Sequence, residues 1–225
     1  MTRENLSRQI HHIQDEILLL GSMVEQAMLS AIDCLKRRDV KMAQEIYEGD
    51  HIINEKRFAI ENAILILFAT QQPMAHDLRI LAAMLEINTE LERMGDYAKG
   101  VAKVVIKLGD TALDIPIKEL NRMAEMAVGM LHRALSAFIS ENVNQSMLIP
   151  REDDEVDRLY NTVYHDLVNK MIDKPDLIDY TNLLMWVAHN LERMADRVTN
   201  ICERTIFIGT GELMEISSSD DEDAE

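Results

Sequence analysis

The feature that most constrains the fold of this 225-residue chain is a five-residue word that occurs twice. Residues 92–96 read Glu-Arg-Met-Gly-Asp and residues 192–196 read Glu-Arg-Met-Ala-Asp, an offset of 100 positions (192 − 92). Other identities at this offset pair Leu20 with Leu120, Met23 with Met123, Glu25 with Glu125, Ala27 with Ala127 and Leu91 with Leu191. The repeat predicts internal duplication of a unit of about 105 residues, a size at which a domain has its own core.

The residue types of both halves favour helix. Gly and Pro are scarce, at 8 and 4 residues, and long stretches consist of Leu, Ile, Met, Ala, Glu, Lys and Arg, which are good helix formers. Aromatic residues make up only 4% of the chain, so the core must be aliphatic and rich in methionine. We therefore expect helices and no sheet.

Apolar residues at helical spacing predict three helices in each half. In the first half the helices cover about 6–38, 40–69 and 74–108, and in the second half about 116–142, 151–172 and from the turn at Pro175 to about 208. The last helix of each half has apolar residues in alternating steps of four and three, which is typical of helices packed at shallow angles: Ile87, Leu91, Met94, Ala98, Val101, Val105 and Leu108 in the first half, and Leu191, Met194, Val198, Ile201, Thr205 and Ile208 in the second.

The predicted fold is all-α, with two tandem antiparallel three-helix bundles related by internal duplication. The first bundle is expected at 5–109 and the second at 116–210, joined by a connection that begins at Gly109. The segment 215–225 is acidic and contains few apolar residues, so we expect it to be disordered.

Charge and hydropathy exclude several classes of protein. The net charge of −17 repels nucleic acids and anionic lipid surfaces, so no nucleic-acid partner is expected. Residues 1–5 are mostly polar, which disfavours a signal peptide, and the apolar run 63–69 is far shorter than the ~20 residues that span a bilayer. With only two cysteines, the chain is predicted to be cytoplasmic and to reach a membrane only through partners.

The repeated word places two carboxylates four positions apart in each half, on one flank of a helix beside the apolar seam. Asp50 and Asp153 correspond at an offset of 103 (153 − 50), as do Asn54 and Asp157, on the preceding helix of each half. A solvated acidic stripe without an ion is one interpretation of such a surface. The other is a site for Mg, Ca, Mn or iron, because clustered oxygen ligands suit hard cations, and its ligands would be Glu92, Asp96, Glu192, Asp196, Asp50, Asp153 and Asp157.

The sequence gives little support for other known types of metal site or active site. Glu48 and His51 have the Glu-x-x-His spacing of di-iron bundles, but that site requires two such motifs and no other histidine follows a Glu by three residues. Neither a glycine-rich phosphate loop nor a Ser-His-Asp set occurs. A non-enzymatic binding protein is therefore favoured, with a metal-dependent phosphohydrolase and a metal-buffering protein as alternatives.

Four segments together resemble the PhoU family of bacterial phosphate-signalling regulators. Residues 72–79 read Gln-Pro-Met-Ala-His-Asp-Leu-Arg, residues 91–96 and 191–196 contain the repeated word preceded by Leu, and residues 210–212 read Thr-Gly-Glu. The resemblance extends over roughly residues 5 to 212. It implies two three-helix bundles, in agreement with the helical periodicity.

The resemblance also implies multinuclear metal clusters at the protein surface, with iron as the expected metal and Mn, Mg, Zn and Ca as alternatives. Carried over by position, the ligand pairs are Glu92 with Asp96, Glu192 with Asp196, and Asp153 with Asp157, and Asp50 is the counterpart of Asp153. The sequence departs from the family pattern at Asn54, where an acid is expected. That change removes one charge from the first cluster.

The role implied by the resemblance is regulatory and non-enzymatic. Members of the family look like adaptors between a phosphate ABC transporter, through its ATPase subunit, and a sensor histidine kinase. They repress the phosphate-starvation response when phosphate is ample. The family also suggests self-association, so a homodimer is expected.

Overall fold

The computed structural model describes residues 3–109, 111 and 114–216, and within these ranges every regular element is helical. This confirms the predicted all-α fold with two duplicated bundles. The first half contains helices α1 (Arg3–Arg37), α2 (Val40–Gln71) and α3 (His76–Leu108). The second half contains α4 (Ile117–Ile139), a short α5 (Val143–Leu148), α6 (Asp153–Asp173) and α7 (Ile178–Thr210), with 3₁₀ turns at Ile149–Glu152 and Pro175–Leu177.

Local signals in the sequence set the ends of the helices in the first bundle. Asp39 caps α2, because its side chain accepts a hydrogen bond from the Met42 backbone amide at 2.9 Å. Gln72 ends the same helix in the left-handed conformation, and Pro73 follows it. Gly109 ends α3 with a φ of 50°, which glycine adopts without steric cost.

The predicted apolar seams form the core of each bundle. In α3, Ile87, Leu91, Met94, Ala98 and Val101 have no exposed surface. In α7, every residue of the corresponding seam from Leu191 to Ile208 is fully buried. The four-three spacing therefore predicted correctly which face of each of these helices packs inward.

The second bundle differs from the first at the connection between its first two long helices. The sequence predicted one helix to about 142, but α4 ends at Ile139, and Glu141 has a positive φ of 50°. Asn142 then caps the short helix α5 by accepting a hydrogen bond from the Gln145 backbone amide at 3.1 Å. Helix α5 packs against α7, so the second half contains an additional short helix.

The two bundles pack side by side through α3 with α7 and α1 with α4. Their buried apolar residues form one contiguous cluster that extends through both halves. At the α3–α7 contact, the Arg197 guanidinium donates to Tyr97 Oη at 3.3 Å and pairs with Glu90 at 3.2 Å. Tyr97 and Arg197 occupy equivalent positions of the duplicated unit, so the two copies contact each other through equivalent parts of α3 and α7.

Helix α1 is long and apolar enough over Glu4–Arg37 to cross a membrane by length and composition alone. In the structure its apolar stripe packs inside the first bundle, where Ile17, Leu20 and Val24 are fully buried.

The predicted disordered segment 215–225 lies outside the described residues from position 217 onward. Its first two residues are described, and they follow the end of α7. The Ile216 backbone amide donates to Glu203 Oε1 at 2.8 Å, and the Ile216 side chain packs against the apolar core. The chain after α7 therefore returns along the side of that helix.

Candidate metal centre

The predicted ligands form two groups on equivalent helices of the two bundles. The first cluster consists of Asp50 on α2 with Glu92 and Asp96 on α3. The second cluster consists of Asp153 and Asp157 on α6 with Glu192 and Asp196 on α7. The carboxylates on α3 and α7 lie on the helix flank, half-buried or exposed, as predicted from their place beside the seam. Asp50 and Asp153 are instead buried, with 5% and 4% of their surface exposed.

The first cluster contains its own cation. Lys99, on α3, directs Nζ to Asp50 Oδ2 at 2.7 Å, and Asn54 Nδ2 donates to the same oxygen at 2.9 Å. The Lys99 ammonium also lies 5.6 Å from the centre of the Tyr47 ring. Asp50 is thus a buried carboxylate whose charge is compensated by a lysine and a hydrogen bond.

Lys99 changes the electrostatics of the neighbouring carboxyl groups. Burial, followed by Asp50, raises the pKa of Asp96, and Lys99 opposes that rise. Burial, followed by Asp96, raises the pKa of Glu92, and Arg57 opposes it. The hydrogen bond with Asp50 raises the pKa of Lys99, so the ammonium remains charged. Cations of this chain therefore compensate part of the charge of the first cluster.

The buried carboxylate of the second cluster, Asp153, is not compensated in the way that Asp50 is. Asp153 Oδ1 is buried and has no hydrogen-bond partner among the described residues. Burial raises the pKa of Asp153 to about 8, with further contributions from the negative charges of Asp157, Asp196, Glu192 and Asp154. A buried, unpaired oxygen of this kind destabilises the folded protein until a proton or a cation binds to it.

A cavity of about 320 Å³ adjoins the second cluster. Its lining contains several acidic and polar side chains and comprises Asp153, Asp196, Thr199, Asn200, Glu203, Glu215 and Ile216. On the outer side of the cluster, Arg193 pairs with Asp196 at 2.6 Å, and His189 Nδ1 lies 3.4 Å from Glu192 Oε2. Asp153 therefore lines a space in which a small hydrated cation can be accommodated.

Lys99 was not among the residues predicted from the sequence to belong to the site. Lys99 lies outside the repeated word, and its role becomes evident only when the copies are aligned position by position. Thr199 stands at the position equivalent to Lys99, and Tyr160 stands at the position equivalent to Arg57. Together with the pairing of Asn54 and Asp157, these differences make the second cluster more negative than the first. Alignment of the two halves at offsets of 100 and 103 is sufficient to find these differences in the sequence.

The donor chemistry of the second cluster suits a hard divalent cation, because it consists of carboxylate oxygens and includes a buried oxygen without a partner. Within the described ranges, no three His, Cys, Asp or Glu side chains are already arranged as a ligand set around one point. Carboxylates without a bound cation repel one another, so a cation would have to draw the cluster together. Metal ligation by the seven residues stays a prediction.

These features define a class of protein: a duplicated helical bundle with paired carboxylates on the flanks of equivalent helices. The family model for the PhoU domain matches this chain twice, at residues 17–105 and 120–205. The chain belongs to the PhoU family.

Similar proteins cover nearly the whole chain. A phosphate-specific transport system accessory protein PhoU homolog of Clostridium acetobutylicum is 33% identical, over 96% of this chain and 100% of its own length. A protein of Streptococcus pneumoniae with the same description is 31% identical over the same shares of both chains. The resemblance to the family drawn from the sequence motifs is therefore confirmed.

Solved structures of this family have the same fold. The crystal structure of the phosphate transport system regulatory protein PhoU from Streptococcus pneumoniae superposes with a TM-score of 0.87 at 30% identity, covering 94% of this chain and 100% of the other. PhoU from Pseudomonas aeruginosa superposes with a TM-score of 0.85 at 28% identity, covering 92% and 99%. The arrangement of both bundles is thus shared with these proteins.

Proposed function

We propose that this protein regulates phosphate uptake and phosphate signalling in the cytoplasm without catalysing a reaction. It acts as an adaptor between the ATPase subunit of a phosphate ABC transporter and a sensor histidine kinase, and works as a homodimer. In this role it represses the phosphate-starvation response when phosphate is ample. The observation that carries the proposal is full-length similarity to proteins described as accessory to the phosphate-specific transport system.

The distribution of polar and apolar residues agrees with a docking role. The long helices bury one apolar stripe each and leave charged flanks at the surface. Large apolar residues are nevertheless exposed on several helices, among them Leu19, Phe58, Ile66 and Trp186. Aromatic side chains such as those of Phe58 and Trp186 are enriched at interfaces between proteins.

We further propose that a hard divalent cation, iron or one of its alternatives, binds at the second cluster. Asp153, Asp157, Glu192 and Asp196 would hold it. The support is Asp153, which lines a cavity and has a buried oxygen without a hydrogen-bond partner among the described residues. When bound, the cation would compensate the clustered negative charge and fix α6 against α7.

The regulatory role is tested in a deletion strain that carries a phosphate-response reporter and is grown in ample phosphate. We expect the reporter to be active without the protein and silent when the full chain is restored at its normal level. A pull-down on the tagged protein should recover the kinase and the transporter ATPase. A reporter that stays silent without the protein, together with recovery of neither partner, contradicts the adaptor role. Turnover of common phosphoesters by the metal-loaded protein would favour the phosphohydrolase instead.

The metal proposal is tested by elemental analysis of protein purified without a chelator. We expect stoichiometric metal in the natural chain and a large loss in the double variant Asp153→Asn, Asp196→Asn, which preserves side-chain volume while removing two charges. The matched control is Asp173→Asn, a substitution of the same kind at the last residue of the same helix. Equal, substoichiometric metal in all three proteins would support the solvated acidic stripe.

A further inference from the structure

The two clusters differ in what compensates their buried aspartate. In the first cluster, Asp50 Oδ2 receives Lys99 Nζ at 2.7 Å and Asn54 Nδ2 at 2.9 Å, so this oxygen already has two donors. In the second cluster, the equivalent Asp153 has a buried oxygen with no hydrogen-bond partner in the described part of the chain. Thr199, at the position of Lys99, lines the cavity beside it. A side chain with an ammonium has thus been exchanged for one without a charge.

We propose that Lys99 is the resident cation of the first cluster, so that the first cluster takes no metal ion and metal binding is confined to the second. The inference rests on the proposal that the second cluster binds a hard cation. It departs from the expectation that Asp50, Glu92 and Asp96 are metal ligands.

The geometry of Asn54 supports this assignment. An ionised Asp50 carboxylate only accepts hydrogen bonds, so Asn54 must present its amide nitrogen to Asp50 and direct its oxygen elsewhere. Ligation by Asn54 of a metal ion that Asp50 Oδ2 also holds would require the amide to reverse and that hydrogen bond to break. The equivalent Asp157 is a carboxylate, which offers oxygens in either orientation.

The surroundings of the two clusters also favour metal binding at the second cluster only. Asp50 and Lys99 line a groove of about 520 Å³ between α1 and α2, whose other walls include Met23, Ile46 and Ile53. An ammonium with an aliphatic stem suits such apolar walls, whereas a divalent cation retains waters that need polar partners. The groove at Asp50 also contains Ser22, Gln26, Ser30 and Glu45, but most of its surface is apolar. The cavity beside Asp153 is lined almost entirely by oxygen-bearing side chains.

Displacing Lys99 is also unfavourable by charge and hydrogen bonding. A metal ion that approached Asp50 would have to break the bond between this buried carboxylate and the ammonium of Lys99, whose side chain is one-third exposed. The displaced ammonium would stay within the reach of a lysine side chain from the ion, because Lys99 is on the same helix as Glu92 and Asp96. Like charges at that distance repel each other, so binding of a divalent ion at the first cluster is opposed.

The test uses the full chain, freed of metal with a chelator and then titrated with Mn²⁺, with free Mn²⁺ followed by electron paramagnetic resonance. Asp153→Asn should weaken Mn²⁺ binding about tenfold or more, whereas Asp50→Asn should leave it unchanged. Thr199→Lys, which removes no carboxylate and inserts the missing ammonium, should also weaken binding about tenfold or more. The converse double variant Lys99→Thr, Asn54→Asp should bind additional Mn²⁺ per chain.

The outcomes separate the two proposals. Loss of Mn²⁺ binding in Asp50→Asn to the same degree as in Asp153→Asn overturns the assignment of Lys99, while the metal proposal stands. No Mn²⁺ binding by the natural chain, with binding gained by Lys99→Thr, Asn54→Asp, ends the metal proposal for the second cluster and supports Lys99 as the resident cation. If that double variant does not fold, unchanged Mn²⁺ binding in a folded Thr199→Lys protein overturns the inference.

Discussion

Asp50 and Asp153 show at the scale of single residues how one position of a duplicated unit can have two physical states. Both carboxylates are almost fully buried, and each lies across from a Glu-x-x-x-Asp pair. Asp50 is hydrogen-bonded to an ammonium, whereas Asp153 is surrounded by other carboxylates. Burial of a paired charge is tolerated, and burial of an uncompensated one is costly. Neutralising each residue should therefore have opposite effects on stability.

We predict that Asp50→Asn destabilises the metal-free protein by about 1–3 kcal/mol, because it leaves Lys99 without its charged partner. Asp153→Asn should stabilise the same protein by about 1–3 kcal/mol near pH 9, because it removes a buried charge. Urea unfolding in the presence of a chelator measures both free energies of unfolding. A stabilised Asp50→Asn protein would contradict the paired state of Asp50.

The effect of Asp153→Asn should also depend on pH. The folded-state pKa of Asp153 is raised above its ordinary value of 3.8 to about 8, so the folded chain binds a proton more tightly than the unfolded chain. The stabilisation that comes from this tighter proton binding is fully present below about pH 4 and is lost as the pH rises through about 8. The gain from Asp153→Asn should therefore shrink as the pH is lowered from about 9 toward 4. A gain that is constant over this range would show that Asp153 is not the group that titrates.

At the scale of helices, one glycine marks a close contact between the two bundles. Gly21 on α1 faces Leu135 on α4, and a Cβ at position 21 would lie 2.3 Å from Leu135 Cδ1. Leu135 is only 3% exposed, so its side chain has little room to move. Gly49 on α2 is different, because a Cβ there would meet no atom within 4 Å.

We predict opposite effects of the same substitution at these two glycines. Gly21→Ala should destabilise the protein by about 1–3 kcal/mol, since the added methyl group overpacks the α1–α4 contact. Gly49→Ala should stabilise it by about 0.5–1 kcal/mol, since alanine loses less backbone entropy in a helix interior. Thermal unfolding of both variants measures the difference. A Gly21→Ala protein as stable as Gly49→Ala would show that the bundles separate easily at this contact.

The sequence predicted the helices and seams well because periodicity reports directly which face of a helix is apolar. Leu91, Met94, Leu191 and Met194 are buried where the pattern placed them. It did not reveal α5 or the α3–α7 contact, because short capped helices and contacts between duplicated units leave no period in the sequence. It also located the carboxylates without revealing that Lys99 compensates one of them, since a salt bridge depends on three-dimensional proximity.

At the scale of the whole molecule, the two copies are not independent units. Their buried apolar residues are contiguous, and Arg197 of one copy is bonded to Tyr97 and Glu90 of the other. Separating the bundles would expose the apolar surfaces of α3 and α7 to water, at a cost of roughly 25 cal/mol for each Å². Chains with two domains often unfold in separate steps, but a shared core couples the steps.

The two cysteines provide one probe for each copy. Cys34 lies in α1 and Cys202 in α7, and both thiols are buried. Burial raises the pKa of Cys202 to about 12 and raises the pKa of Cys34, so neither thiol forms the reactive thiolate readily in the folded protein. Labelling by a thiol reagent therefore reports unfolding around each residue.

We predict that both cysteines become reactive at the same urea concentration, because the shared core makes unfolding of either copy expose the other. Brief labelling across a urea series, with mass spectrometry of the digested chain, gives a separate midpoint for each thiol. The midpoints should coincide within error and match the loss of helical circular dichroism. Arg197→Met, which removes the bonds to Tyr97 and Glu90, should move both midpoints together to lower urea. Two separated midpoints in the natural chain would show that the duplicated bundles unfold independently despite their common core.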